Sequence, residues 1–284
     1  MDKFFILDGQ GLLYKAYYAL PPLTDKQGMV VNAILGVSRM LLKLIKENSP
    51  EYIAICFDLP KPTFRHLKYN QYKIQRKKTP SELISQILPL KNIIKNFQIP
   101  IFELEGFEAD DLIATLTEKT KKDLVEIIII SNDKDILQLV NEKVKVLFNK
   151  KGLSDLITYD LKKVIEEKKF FPIQFPDIVG LIGDQSDNIP GINGIGPKTA
   201  LKLIKEYGSL EKIYENISLI SPYTLKNNLI NSKEIAFLSK ELAILKKDVP
   251  IDFNLEECRF KGIDKEKLKD SFAYYNFNSL LPFI

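Results

Sequence analysis

Three nearly unbroken apolar runs, each followed by aspartate, constrain this chain more than any other feature of its 284 residues. Asp8 follows Phe4-Phe5-Ile6-Leu7, and Asp58 follows Ile53-Ala54-Ile55-Cys56-Phe57. Asp133 and Asp135 come shortly after Ile127-Ile128-Ile129-Ile130. Runs that are apolar at every position, not at alternate ones, suit strands buried on both faces in parallel sheets. Residues 3–8, 52–58 and 125–131 are therefore expected as strands, with Ile99–Leu104 as a weaker fourth. Helical periodicity fills the gaps at Ala33–Glu47, Ser81–Asn96 and Ala109–Thr120. The alternation predicts an α/β domain with a mostly parallel central sheet flanked by helices. Ligands of such sheets bind beyond the carboxyl ends of the strands, where these aspartates fall.

Glu108-Ala109-Asp110-Asp111 and Asp184-Gln185-Ser186-Asp187 bring the acidic set to nine. Taken singly, an Asp after a strand caps a helix or opens a turn. Asp135 reads equally well as the N-cap of a helix carrying Ile136, Leu137 and Val140. Nine such coincidences are a different matter. Like charges repel by roughly 1 kcal/mol per pair at 4 Å in water, and by several-fold more near a protein surface. A cation must hold them together. With one His and only Cys56 and Cys258, a thiolate or imidazole site has no suitable spacing. Oxygen donors alone suit Mg²⁺ or Mn²⁺. Two such ions about 4 Å apart serve phosphodiester hydrolysis. Phosphoryl transfer to Asp8 itself usually wants a second Asp two positions on, where Gln10 stands.

The formal charge of +4 becomes about +13 once the nine acids are set aside, a balance suited to a polyanion. Cations concentrate in Lys61–Lys78: Lys61, Arg65, His66, Lys68, Lys73, Arg76, Lys77 and Lys78, interleaved with Phe64, Tyr69 and Tyr72. Cations leaving the rim of an acidic pocket can neutralise a phosphate, and aromatics can stack on unpaired bases. A second signal is Ile189-Pro190-Gly191-Ile192-Asn193-Gly194-Ile195-Gly196-Pro197-Lys198-Thr199. Glycines at a helix start leave backbone N–H groups bare for phosphate, here with Lys198 and Thr199 in the first turn. A P-loop is excluded because Pro197, not Lys, follows Gly196. A helix–hairpin–helix that grips duplex backbone fits better. No apolar run approaches the ~20 residues that span a bilayer, and no secretory leader or disulfide framework is visible, so the cytoplasm is expected.

With these pieces in place, the chain resembles the 5′ nucleases of the flap endonuclease superfamily, which have a PIN-like fold. Within them it is most like the 5′→3′ exonuclease domains of the bacterial DNA polymerase I type. The resemblance is carried by Leu7-Asp8-Gly9 with Tyr14-Lys15-Ala16, Phe57-Asp58, Phe64-Arg65-His66 and Tyr72-Lys73-Ile74-Gln75-Arg76. It continues through Gly106-Phe107-Glu108-Ala109-Asp110-Asp111, Asp133-Lys134-Asp135 with Gln138-Leu139, and Gly183-Asp184-Gln185-Ser186-Asp187-Asn188-Ile189-Pro190-Gly191. Gln10-Gly11 and Asn132 depart from the usual pattern without removing a carboxylate.

The resemblance implies a catalytic domain over residues 1–171, with a helical arch at 61–82, and a helical helix–hairpin–helix DNA-binding domain over 172–284. It implies one metal site from Asp8, Asp58, Glu108, Asp110 and Asp111, and a second from Asp133, Asp135, Asp184 and Asp187. Lys73 and Arg76 would contact the scissile phosphate. Arg65, Tyr69 and Tyr72 would contact DNA from the arch. Gly191, Gly194, Gly196, Lys198 and Thr199 would hold the duplex, with K⁺ at the hairpin. The implied activity is 5′→3′ exonuclease and 5′-flap endonuclease in replication and repair. Its substrates would be branched or nicked duplex DNA with a 5′ single-stranded end, and RNA primers. The resemblance also implies a monomer associated with the nucleoid. Two rivals remain: a non-catalytic DNA-binding relative, and a PIN-like single-strand ribonuclease.

Overall fold

The computed structural model describes residues 2–151 and 155–284. Six strands form one sheet: β1 (Asp2–Asp8), β2 (Tyr52–Cys56), β3 (Ile101–Phe102), β4 (Val125–Ile130), β5 (Val144–Lys151) and β6 (Asp155–Tyr159). Their spatial order is β3-β2-β1-β4-β5-β6. All neighbours are parallel except the edge pair β5–β6, which is antiparallel. The chain builds outward from β1 to β2 and β3, then returns to the other side of β1 as β4. That reversal is a topological switch point, where open α/β sheets place their ligands. In register, Leu7 lies beside both Ile55 and Ile130, and Asp8 beside Cys56. The carboxyl ends of the three expected strands therefore open onto one place.

Helices α1 (Gly9–Ala19), α2 (Asn32–Asn48), α3 (Phe64–Lys68), α4 (Ser81–Ile84), α5 (Ile87–Asn96), α6 (Ala109–Lys119) and α7 (Leu161–Lys168) surround the sheet. Strand residues alternate between two apolar layers. Phe5, Leu7, Ile53, Ile55, Ile128 and Ile130 pack against α1, α2 and α5. Phe4, Ile6, Ala54, Cys56, Ile127 and Ile129 pack against α6. The helix expected over Ser81–Asn96 is broken between α4 and α5. Pro89 has no N–H for a helical bond to Ser85, and it is tolerated only because it falls in the first turn of α5. The β5–β6 pair was not legible as strand, because Lys145 and other polar residues dilute its apolar pattern.

Beyond Phe171 come α8 (Phe175–Ile182), α9 (Pro197–Tyr207), α10 (Leu210–Glu215), α11 (Tyr223–Asn231) and α12 (Lys233–Ala243), around a core of their own. The last stretch departs from the expected partition. Leu245, Val249 and Cys258 return to one face of the sheet. Leu268 and Phe272 of α13 (Lys265–Tyr274), with Phe277 and Leu280, fill the other. The residues after α12 thus complete the core of the sheet instead of extending the helical region. Among the described residues, no helix is long and apolar enough to cross a membrane.

Phe272 is fully buried in the sheet's core. Phe272→Ala should therefore lower stability by about 3–5 kcal/mol in urea unfolding. A change within about 0.5 kcal/mol, as for a surface site, would show that α13 is merely appended.

Candidate active site

Local chemistry sets each carboxylate at the switch point. Asp8 ends β1 and caps α1, with its Oδ1 accepting from the Gly11 N–H at 2.7 Å and its Oδ2 from the Ser131 hydroxyl at 2.9 Å. Ser131 was not singled out from sequence; its place between the isoleucine run and Asp133 was the available signal. Asp58 leaves β2 and accepts from the Ala109 N–H at 2.7 Å, which ties it to the start of α6. Glu108 caps that helix, and Asp110 sits in its first turn. Asp133, not Asp135, caps the short 3₁₀ helix Lys134–Leu139, with its Oδ1 accepting from the Asp135 N–H at 3.0 Å. Asp184 and Asp187 lie on the loop after α8, closed by paired backbone bonds between Asp184 and Ile189. A cavity of about 560 Å³ opens above, lined by Asp8, Asp58, Glu108, Asp110 and Asp133 together with Lys73 and Arg76.

The electrostatics record the crowding. Burial, with Asp58 and Asp133 nearby, pushes the Asp8 carboxyl up to about 7. Burial, then Asp133, Asp8 and Asp58, holds Asp110 well above the ordinary carboxylate range. Asp135 is raised likewise by burial, then by Asp133, Asp187 and Asp184. Asp133 is raised by burial and by Asp187. Solvent reaches Asp58 through the cavity mouth, yet dense protein around it, then Glu108, raises its pKa too. The acids thus form two groups that meet at Asp133. Among the described residues, no three of them already close around one point as metal ligands would. The donor chemistry nevertheless fits a hard divalent cation: the groups are all oxygens, and burial and mutual repulsion raise the carboxyls of Asp8, Asp58, Asp110, Asp133 and Asp135.

Cations from the insert stand among these acids. Lys73 Nζ lies 2.8 Å from Glu108 Oε1 and 3.6 Å from Asp187 Oδ2, and Arg76 pairs with Asp187. Burial alone would raise the Asp187 carboxyl, but Lys73, Arg76 and the Tyr72 hydroxyl outweigh it and hold the group below its ordinary value. The backbone reinforces the contact: Lys73 takes a left-handed φ of 55°, and its N–H donates to the Asp187 carbonyl at 2.8 Å. The insert is less helical than expected, with only Phe64–Lys68 in α-helix and turns through residues 70–76.

Three expected site residues take other roles. Asp111 is fully buried, with each oxygen accepting two hydrogen bonds, from Arg65, the Glu108 N–H and the Lys246 N–H. It has no lone pair left for a metal. Arg65 is 1% exposed, so it cannot reach DNA from the arch. Tyr72 is 3% exposed, and its hydroxyl donates to Glu108 Oε2 at 3.1 Å and Asp187 Oδ2 at 3.0 Å, leaving no free face for a base. Tyr69 remains partly open to solvent.

The glycine hairpin joins α8 to α9. Gly191 is packed where a Cβ would lie 2.3 Å from the Ile182 carbonyl oxygen, so its role is close approach. Gly194 turns at φ 80°, which favours glycine, while Gly196 caps α9 in front of open space. Lys198 is exposed and Thr199 partly so, at the first turn of α9, where backbone N–H groups lack helical partners.

The comparisons agree with this geometry. Residues 3–169 match the family described as 5′-3′ exonuclease, N-terminal resolvase-like domain, and residues 170–266 match the 5′-3′ exonuclease, C-terminal SAM fold. A 5′-3′ exonuclease of Aquifex aeolicus is 40% identical over 281 residues, covering 99% of this chain and 94% of that one. DNA polymerase I of Bacillus caldotenax is 39% identical over 279 residues, 98% of this chain. The chain spans about a third of that polymerase's length (32%). Among solved structures, the T5 5′-exonuclease with bound zinc superposes with a TM-score of 0.71 at 23% identity, covering 99% of this chain and 96% of that one. The catalytic core of Rad2 in complex with a DNA substrate superposes with a TM-score of 0.65 at 17% identity, covering 100% and 93%. At those identities the likeness is one of fold. A resolvase-like sheet with acids at its switch point, continued by a helical hairpin region, places this chain in the 5′-3′ exonuclease family.

Proposed function

We propose that this chain is a structure-specific 5′ nuclease that hydrolyses phosphodiesters near the 5′ end of branched or nicked duplex DNA, RNA primers included. The observation that carries this reading is the acid-lined cavity at the switch point, with Lys73 and Arg76 suspended over it. Asp8, Asp58, Glu108 and Asp110 would hold one divalent ion, Mg²⁺ or Mn²⁺. Asp135, Asp184 and Asp187 would hold a second, and Asp133 stands between the two. Bound there, such ions supply Lewis-acid stabilisation of phosphate charge and lower the pKa of water.

The protein's own groups do the rest. Asp8, Asp58 and Asp133 are kept in place by backbone and hydroxyl donors, so little reorganisation is needed on binding. Lys73 and Arg76 exchange their carboxylate partners for the scissile phosphate, where they stabilise charge that grows in the transition state. The hairpin's open N–H groups, with Lys198 and Thr199, take a duplex phosphate away from the cut, with K⁺ as a further partner there. We read the active unit as a monomer.

Asp8→Asn or Asp133→Asn should reduce Mg²⁺-dependent cutting of a 5′-flap duplex to background while leaving DNA binding intact. Full activity in either variant would remove those residues from the metal site. Lys73→Ala should slow single-turnover cleavage by about a hundredfold and weaken binding far less; the reverse order would make Lys73 a docking residue.

Thermal unfolding offers a readout independent of turnover. Mg²⁺ or Mn²⁺ should raise Tm at constant ionic strength, because it binds the folded state only. Without divalent ions, stability should fall as pH rises from about 5 to 8. Asp8 titrates near 7 when folded against an ordinary 3.8, so the folded chain binds the extra proton in that window. A Tm indifferent to both would count against a carboxylate cluster held under repulsion.

A further inference from the structure

Arg65 and Asp111 form a buried ion pair that the proposed chemistry leaves idle. All five guanidinium N–H groups are used. Nη1 donates to Asp111 Oδ2 at 2.7 Å and Glu108 Oε2 at 3.3 Å, and Nη2 to Asp111 Oδ1 at 2.8 Å and the Ile244 carbonyl at 3.0 Å. Nε donates to the Leu242 carbonyl at 2.8 Å. Asp111 in turn accepts from the Lys246 N–H at 2.9 Å and the Glu108 N–H at 3.1 Å. Burying such a pair is weak evidence for stability, since apolar replacements often do as well. What distinguishes it is what it joins. At one end is Glu108, a carboxylate of the cavity. At the other is the backbone that leaves α12.

That backbone carries the hairpin region. α12 runs along α8, with the Gly180 backbone close against the Ala236 carbonyl, and the Ser239 hydroxyl donates to the Pro190 carbonyl at 2.6 Å, next to Gly191. Two more side chains of the sheet domain stitch the same stretch. Gln138 donates to the Ala243 carbonyl at 3.0 Å and accepts from the Leu245 N–H at 3.1 Å. Thr115 donates to the Lys246 carbonyl at 3.3 Å and accepts from the Val249 N–H at 3.2 Å. The distance from hairpin to carboxylates is thus fixed through saturated hydrogen bonds that have few alternative arrangements.

We propose that Arg65 and Asp111 are positioning residues that set the spacing between the duplex grip and the cavity acids. They thereby fix which phosphodiester is cut relative to the single-strand/duplex junction. This rests on the nuclease reading above. Displacement of reacting groups by about 1 Å is enough to change rate strongly, and a looser link lets neighbouring phosphodiesters reach the acids.

The test compares Arg65→Lys, Asp111→Asn and Gln138→Ala with the wild-type chain. The readouts are Mn²⁺ affinity by calorimetry, single-turnover rate, and a single-nucleotide map of cut positions on a 5′-flap duplex. Mn²⁺ affinity should stay within about twofold, the rate should fall by about tenfold, and cuts should spread to adjacent positions in every variant. Where Arg65→Lys does not fold, Asp111→Asn, which keeps the shape of the side chain, decides. One wild-type cut position in the folded Arg65→Lys and Asp111→Asn variants overturns the proposal, whatever Gln138→Ala does, and reduces the pair to core support. Loss of Mn²⁺ affinity in Asp111→Asn alone also overturns it, by making Asp111 a ligand. A wild-type chain that cuts nothing overturns the nuclease reading itself, and the proposal with it.

Discussion

Repulsion among carboxylates forced together at the ends of β1, β2 and β4 governs the rest of this molecule. The strands that carry them are buried on both faces, so the sheet cannot relax to separate the charges. What can change is the counter-charge. Protons answer part of it, as the raised Asp8, Asp110 and Asp135 carboxyls record. Lys73 and Arg76 answer another part by pairing with Glu108 and Asp187. In the proposed reaction these protons and borrowed cations give way to divalent ions and a phosphate.

The same repulsion explains the shape of the insert. Segment 69–76 is drawn down onto the loop 184–189: Lys73 N–H bonds the Asp187 carbonyl, and the Asn188 amide donates to the Gln71 carbonyl at 2.8 Å. Its far end is held by Thr79 on the Tyr14 hydroxyl and by Glu82 on Tyr17. The basic segment therefore closes over the acids as a counter-ion carrier. In the proposed reaction it trades one set of oxygens for another, so its cations are already near where they are needed.

Much of this was legible in the sequence because two of its signals are local. Nearly unbroken apolar runs in 3–8, 52–58 and 125–131 read as buried parallel strands, and the Asp residues that follow them then converge at one end of the sheet. Other roles depended on partners far along the chain. Glu108 and Asp111 are three apart and share a helix face, which made them look equivalent. Only the arrival of Arg65, 46 residues away, divides them into a cavity acid and a structural one. Arg65 and Tyr72 look like surface residues by composition, and only tertiary packing turns them inward. Nothing local in residues 265–274 says which apolar layer they join, so the return of α13 to the sheet was invisible.

Anomalous diffraction from crystals grown with Mn²⁺ locates the bound ions themselves. A two-ion carboxylate site predicts two peaks, one among Asp8, Asp58, Glu108 and Asp110, the other among Asp135, Asp184 and Asp187, each reached by Asp133. It also predicts Lys73 and Arg76 withdrawn from Glu108 and Asp187. Saturating Mn²⁺ with no peak in the cavity, and both cations still paired with those carboxylates, would contradict it.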